Sequence, residues 1–200
     1  MLSGIKVLDL TNVLAGPFCC HQLAHMGAEV IKIETVGHGD LARQLGASKN
    51  LSSQLMGISF LAQNAGKKSL TINLKSQKGK EIFHKLVKVS DVVVENFRPG
   101  VMKRLGLEYD CLKKVNSKLI YCSISGFGQT GPISKRPAYD QIIQGLSGLM
   151  SITGKDGDGP LRVGSPLADT VGGLTAAMAI AKSLKSRRLL LMTNVDGVLN

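Results

Sequence analysis

The chain has 200 residues, of which 44% are hydrophobic and 20% charged, and a formal net charge of +11. A chain of this size buries roughly two-thirds of its unfolded surface, and its composition excludes a disordered, collagen-like or low-complexity polypeptide. The longest apolar run, Leu174 to Ala181, falls well short of the roughly 18 residues that span a bilayer. The N-terminus lacks a basic segment leading into an apolar stretch and cleavage site, so the expected location is the cytoplasm, with an organelle matrix as the alternative.

The charge is uneven. Residues 1–66 hold four basic and four acidic side chains, residues 67–118 thirteen and five, and residues 119–200 eight and five. The middle segment therefore attracts anions: nucleic acid, an anionic membrane surface or a small polyphosphate. There is no Trp, and none of the three Tyr and five Phe is interleaved with the basic residues as a base-stacking platform requires, which weighs against nucleic acid. Cys19, Cys20, Cys111 and Cys122 form neither a CxxC pair nor a zinc-spaced cluster with histidine. No metal site is expected, and the cysteines read as small hydrophobes in a reducing compartment.

In chain order, Ile5 to Leu10 is a short strand, the Gly16-Pro17 pair a break, and Phe18 to Met26 a helix ending at Gly27. Glu29 to Glu34 alternates as a second strand, and the Gly37 to Asp40 cluster opens a long irregular stretch. Leu70 to Leu74 reads as a third strand. Ser76 to Val89 is a helix with Ile82, Phe83, Leu86 and Val87 on one stripe and lysines largely off it. Asp91 to Glu95 and Leu119 to Ile124 are strands flanking two small helices, Pro99 to Leu107 and Tyr109 to Val115. Ala138 to Leu149 and Ala168 to Leu184 are further helices, and Leu189 to Met192 a last strand. This alternation predicts an α/β fold, a parallel sheet with helices on both faces. Ligands bind such sheets beyond the carboxyl ends of the strands, so the segments after residues 10, 34, 74, 95 and 124 are expected to line the site.

Several short motifs fail on context. Gly126 to Gly131 fits GxGxxG after a strand, but Pro132 and the following segment do not open a helix and no acidic residue stands about 20 positions on. Its alternative reading is a loop that permits close backbone approach. Gly66-Lys67-Lys68-Ser69 lacks the preceding glycine of a P-loop, and Asp156-Gly-Asp158-Gly lacks the later ligands of a calcium loop. His21 and His25 lack the intervening Glu of a zinc helix. Asp169 stands at the start of an apolar helix, where a helix cap and a catalytic carboxylate are compatible readings.

Taken together, Gly4 to Leu10, Ala15-Gly16-Pro17, Gly27 to Glu34, Asn64 through Lys67-Lys68-Ser69, Val94 to Gly100, Leu119 to Tyr121, Ser125 to Pro132, Ala138-Tyr139-Asp140 and Gly148 resemble the family III CoA-transferases, the formyl-CoA and carnitine CoA-transferase group. The resemblance implies a Rossmann-like CoA-binding domain, with residues 1–184 as its N-terminal part. It also implies a homodimer of chains about twice this long. Residues 185–200 read as a divergent tail in which Asp196 to Leu199 only echoes the family, as in a truncated chain without the small second domain.

The resemblance further implies that Asp169 is the nucleophile toward an acyl-CoA thioester, with a free carboxylic acid as acceptor and no resident cofactor. Leu14, Ala15, Ile72, Asn73, Leu74, Lys75, Asn96, Phe97, Arg98, Arg104, Lys135, Arg136 and Tyr139 match the family's CoA-contacting segments. Among these, Lys75, Arg98 and Arg104 suit phosphates by charge. Thr35 departs from the Arg common after Ile-Glu, which implies weaker CoA binding. Racemases of the same fold use a histidine where this chain has Tyr139, a phenol and a poor base at neutral pH. The expected activity is therefore CoA transfer, with a racemase or an inactive CoA-binding remnant as alternatives.

Overall fold

The computed structural model describes residues 1–185. Five strands form one parallel sheet: β1 (Lys6–Asp9), β2 (Glu29–Glu34), β3 (Lys68–Thr71), β4 (Val92–Glu95) and β5 (Ile120–Ser123), in the order β3-β2-β1-β4-β5. The predicted strand over 189–192 and the tail from residue 186 lie outside the described residues.

Strand side chains alternate between two apolar layers, as a sheet covered on both faces requires. Val7, Val30, Val92 and Val94 pack on one face against α1 (Ala15–His25) and α8 (Leu167–Ser183). Leu8, Ile33 and Val93 pack on the other against Phe83 and Val87 of α4 (Gln77–Lys88), Met102 of α5 (Val101–Leu105) and Leu112 of α6 (Tyr109–Val115). Ser76 caps α4, its Oγ accepting from the Gly79 N–H at 3.0 Å. Cys19 and Cys20 are fully buried in the first layer, as small hydrophobes.

Four features depart from the sequence reading. Helix α1 begins at Ala15, so Gly16 and Pro17 lie inside its first turn rather than before it. The N–H that proline lacks has no intrahelical acceptor there, so the position tolerates it. The stretch after Asp40 is not irregular: it holds a 3-10 turn (Leu41–Gln44), α2 (Lys49–Ser53) and α3 (Ile58–Asn64), the first two opened by side-chain caps from Asp40 and Ser48. Strand β3 starts two residues earlier and ends three earlier than its apolar pattern predicts, because pairing with β2 sets its register, Ile31 opposite Lys68 through Glu34 opposite Thr71. Finally, Asp169 is the third residue of α8, whose N-cap is Pro166.

Candidate active site

Strand order reverses between β1 and β4, so the loops that leave their carboxyl ends diverge and open a crevice. Asn96, just after β4, bridges that crevice: its Oδ1 accepts from the Asn12 N–H and its Nδ2 donates to the Asn12 carbonyl, each at 2.8 Å. Two cavities flank the bridge. One, of about 490 Å³, is walled by the loop into α1, the segment 96–99, the turn at Ser125 and Gly126, residues 136–139 and the start of α8. The other, of about 410 Å³, lies between the ends of β1, β2 and β3 and is mostly apolar, with Lys75 on its wall. Asn12 and Phe97 line both. The Phe97 N–H donates to Glu95 Oε2 at 2.9 Å, which tethers the shared wall to the strand end.

Asp169 faces the larger cavity. Its depth in the fold depends on a close helix crossing: a Cβ at Gly173 would lie 2.6 Å from the Ala15 carbonyl oxygen, so only glycine lets α8 pack this tightly on the start of α1. Residues 169 and 173 share a helix face, one turn apart. The N-terminus of α8 is capped from a distance by Asp140, the first residue of α7 (Asp140–Leu146), whose Oδ1 accepts from the N–H groups of Ala168 (2.8 Å) and Asp169 (3.3 Å). Asp140 Oδ2 accepts from Gln144 Nε2 at 2.6 Å. Gln144 in turn contacts the Ser165 carbonyl (3.2 Å) and accepts from the Val163 N–H (3.0 Å), which holds the approach to α8. Burial, with a smaller contribution from the Asp140 carboxylate, raises the Asp169 carboxyl to about 6. Above that pH it is an ionised and poorly solvated carboxylate.

The structure gathers most of the residues singled out from the sequence. Leu14, Ala15, Asn96, Phe97, Arg98, Arg136, Tyr139 and Asp169 line the larger cavity, and Ile72, Asn73, Leu74 and Lys75 the smaller one. Arg104 and Lys135 are exposed and line neither. Two polar groups are already engaged within the chain. The Asn96 amide clamps Asn12, and Asn73 Oδ1 accepts from the Lys75 N–H at 3.0 Å. Nor is the basic middle segment all available to a ligand. Lys67 directs its ammonium to Asp9 Oδ2, the Pro17 carbonyl and Asn64 Oδ1, all at 2.8 Å, and Lys68 pairs with Glu29 at 2.5 Å.

Asn12, Val13 and Pro99 fall in the segments after residues 10 and 95 that were expected to line the site, though none was singled out, whereas sequence reasoning missed Gly172 as a wall residue and Asp140 and Gln144 as the frame behind Asp169. For the frame, the spacing of Asp140 and Gln144, one helical turn apart, was the signal the sequence carried. The glycine loop does bring backbones close, since a Cβ at Gly126 would lie 2.3 Å from the Ala138 Cβ.

An open parallel sheet with a split crevice at its switch point has the form of a ligand site, and the Asp169 carboxyl at a helix start stands on its wall. A family model described as CoA-transferase family III matches residues 2–189, and the chain belongs to that family. It is 48% identical over 185 residues to an acetyl-CoA:oxalate CoA-transferase of Acetobacter aceti, covering 92% of this chain and 46% of that protein. It is 46% identical over 191 residues to an acyl-CoA transferase of Fusarium pseudograminearum, covering 93% and 42%. Among solved structures, a CAIB/BAIF family protein from Brucella suis superimposes with a TM-score of 0.84 at 39% identity, over 92% of this chain and 49% of that one. The chain thus spans about half the length of the relatives it matches.

Proposed function

We propose that the chain is the CoA-binding and nucleophile-bearing part of a CoA-transferase. Family membership supports CoA as the moving group, and the half-buried Asp169 carboxyl, raised to about 6 on the cavity wall, is the observation that carries the chemistry. In this reading an Asp169 oxygen attacks the acyl thioester carbonyl, the C–S bond breaks, and CoA thiolate leaves a mixed anhydride. The thiolate then attacks the aspartyl carbonyl, forming an aspartyl-CoA thioester and releasing the donor acid. An acceptor carboxylate attacks that thioester, and the returning thiolate takes the new acyl group and frees Asp169. No net proton is consumed, and no metal is required. Exclusion of water protects the anhydride.

The two cavities supply complementary environments for such a ligand. The smaller, walled by Ile33, Ile72, Leu74, Val101 and Leu105, suits an adenine ring, with Lys75 at its side for a phosphate. The larger, with Arg98 and Arg136 on its wall, suits the remaining phosphates and leads to Asp169. Thr35 lies on the smaller cavity, so the missing guanidinium of its family counterpart is a deficit at the nucleotide end.

A homodimer in a reducing compartment belongs to the same proposal. The homodimer is supported by exposed apolar surface: Leu146 at 68%, Ile152 at 82% and Val171 at 52% exposure. No helix among the described residues is long and apolar enough to cross a membrane.

Intact-protein mass spectrometry after incubation with acetyl-CoA, succinyl-CoA and formyl-CoA, without acceptor, tests the mechanism. An adduct of CoA mass less water on the wild type, absent from Asp169→Ala, is expected. Equal labelling of both proteins would overturn the assignment.

A further inference from the structure

The loop between β1 and α1 has an unusual conformation at the point where the two cavities meet. Val13 takes a φ of 68°, a left-handed backbone that a β-branched residue adopts only when its surroundings enforce it. Here the enforcement is visible group by group. Asp9 Oδ1 accepts from the Thr11 N–H at 2.9 Å, and Lys32 Nζ donates to the Thr11 carbonyl at 2.7 Å. Asn96 holds both backbone groups of Asn12. Asp40 Oδ1 accepts from the Val13 N–H at 3.0 Å while its Oδ2 lies 2.9 Å from Lys32 Nζ. The amide of Gln63, oriented to donate, reaches the carbonyls of Val13 and Leu14 at 3.2 and 3.1 Å.

Asp40 and Lys32 are each 1% exposed, and one ion pair therefore grips the loop on both sides of Asn12. Burial opposes the charge on Lys32, but the carboxylates of Asp9 and Asp40 outweigh it and hold the ammonium protonated. A buried ion pair is a poor device for stability alone, since taking both charges out of water is unfavourable. Its geometry points instead to the loop it holds.

We propose that Asp40 is a positioning residue for the ligand site: bonded to the Val13 N–H and paired with Lys32, it keeps Val13 left-handed and so sets the wall between the two cavities. Asp40 lines neither cavity and touches no ligand in this reading. The proposal rests on the reading of the cavities as a CoA site.

Four versions of the protein test it: wild type, Asp40→Ala, Val13→Gly and the double variant. Each is titrated with CoA by calorimetry, and amide exchange is followed across residues 11–15. Glycine occupies the left-handed region readily, so it removes the need for enforcement without repairing the ion pair. Asp40→Ala is expected to weaken CoA binding about tenfold and to speed exchange at Val13. Adding Val13→Gly is expected to restore affinity to within about threefold of Val13→Gly alone, while the melting temperature stays as low as that of Asp40→Ala because Lys32 still lacks its partner.

A double variant that binds as weakly as Asp40→Ala overturns the proposal, since the loss then comes from the other partners of Asp40, Lys32 and the 3-10 turn it caps, and not from the backbone of Val13. Wild-type affinity and loop protection in Asp40→Ala overturn it as well. A wild-type protein that binds no CoA overturns the reading of the cavities, and the exchange pattern alone then upholds or overturns the grip on Val13. Should Asp40→Ala fail to fold, Asp40→Asn, which removes the charge facing Lys32, goes through the same comparison.

Discussion

Gly173→Ala places a methyl group where α8 and α1 cross. Its Cβ would sit 2.6 Å from the Ala15 carbonyl oxygen, 3.1 Å from Phe18 Cδ1 and 3.3 Å from the Cys19 nitrogen. Ordinary contact would require α8 to draw back by about 1 Å. Two of the three neighbours are backbone, which cannot rotate away, so the helix itself must yield. Overpacking of this kind costs about 1–3 kcal/mol, offset by about 0.5–1 kcal/mol from the better helix propensity of alanine.

Asp169, one turn before Gly173 on the same face, moves with the helix, and a displacement near 1 Å at a reacting group lowers rate by about 100-fold. Gly172 provides the internal control, because a Cβ there meets nothing within 4 Å. Gly172→Ala is therefore expected to stabilise by about 0.5–1 kcal/mol. Urea unfolding measures the stabilities, and the rate of adduct formation from acyl-CoA reads the displacement. If Gly173→Ala proves as stable as Gly172→Ala and labels at the wild-type rate, the tight crossing does not set the position of Asp169.

Three further outcomes are expected. With its carboxyl at about 6, Asp169 is mostly protonated at pH 5 and mostly ionised at pH 7, so adduct formation should rise about tenfold between them and level off above; a flat profile would show that another group limits the step. A carboxyl raised on folding opposes the folded state once pH passes its unfolded value near 3.8. Asp169→Asn should therefore unfold later than wild type at pH 8, by about 1 kcal/mol after allowing for solvent screening, and lose the advantage as pH falls below 4; thermal melts across that range test the sign. Glu34 is opposite in sign: despite burial, hydrogen bonds from Arg43, Ser69 and the Asp40 N–H lower it to about 2. The stability it supplies is present above pH 4.5 and fades toward pH 2. Arg43→Met should cost about 3 kcal/mol at neutral pH by leaving that carboxylate partly unpaired, and acid unfolding should begin at higher pH; circular dichroism during acid titration reads both.

Much of the framework was legible along the chain because local chemistry specifies it. The β-branched run of Val92 to Val94 can be satisfied only in a strand covered on both faces, and Ser76 ahead of an apolar stripe marks the start of α4. Strand-end segments were expected to carry the ligand site on topological grounds alone, and Asp169 stood out by its place before an apolar helix. The first turn of α1 and the short helices after Asp40 were not legible. Gly16 and Pro17 read as a break until the rest of the turn is seen, and the pieces from residue 41 to 64 are too short for periodicity to reveal.

The polar wiring of the site depended entirely on the fold. Lys32 and Lys67 look like surface lysines in the sequence, yet both are buried against Asp9, with Lys32 also on Asp40. Asn96 looks like a ligand contact and acts as a clamp across 84 positions of sequence. Asp140 reaches 28 residues onward to cap the helix that carries Asp169. Spacing along a chain constrains only groups within a turn or a strand, whereas burial, pairing and the raised Asp169 carboxyl arise from groups that meet once the sheet is assembled.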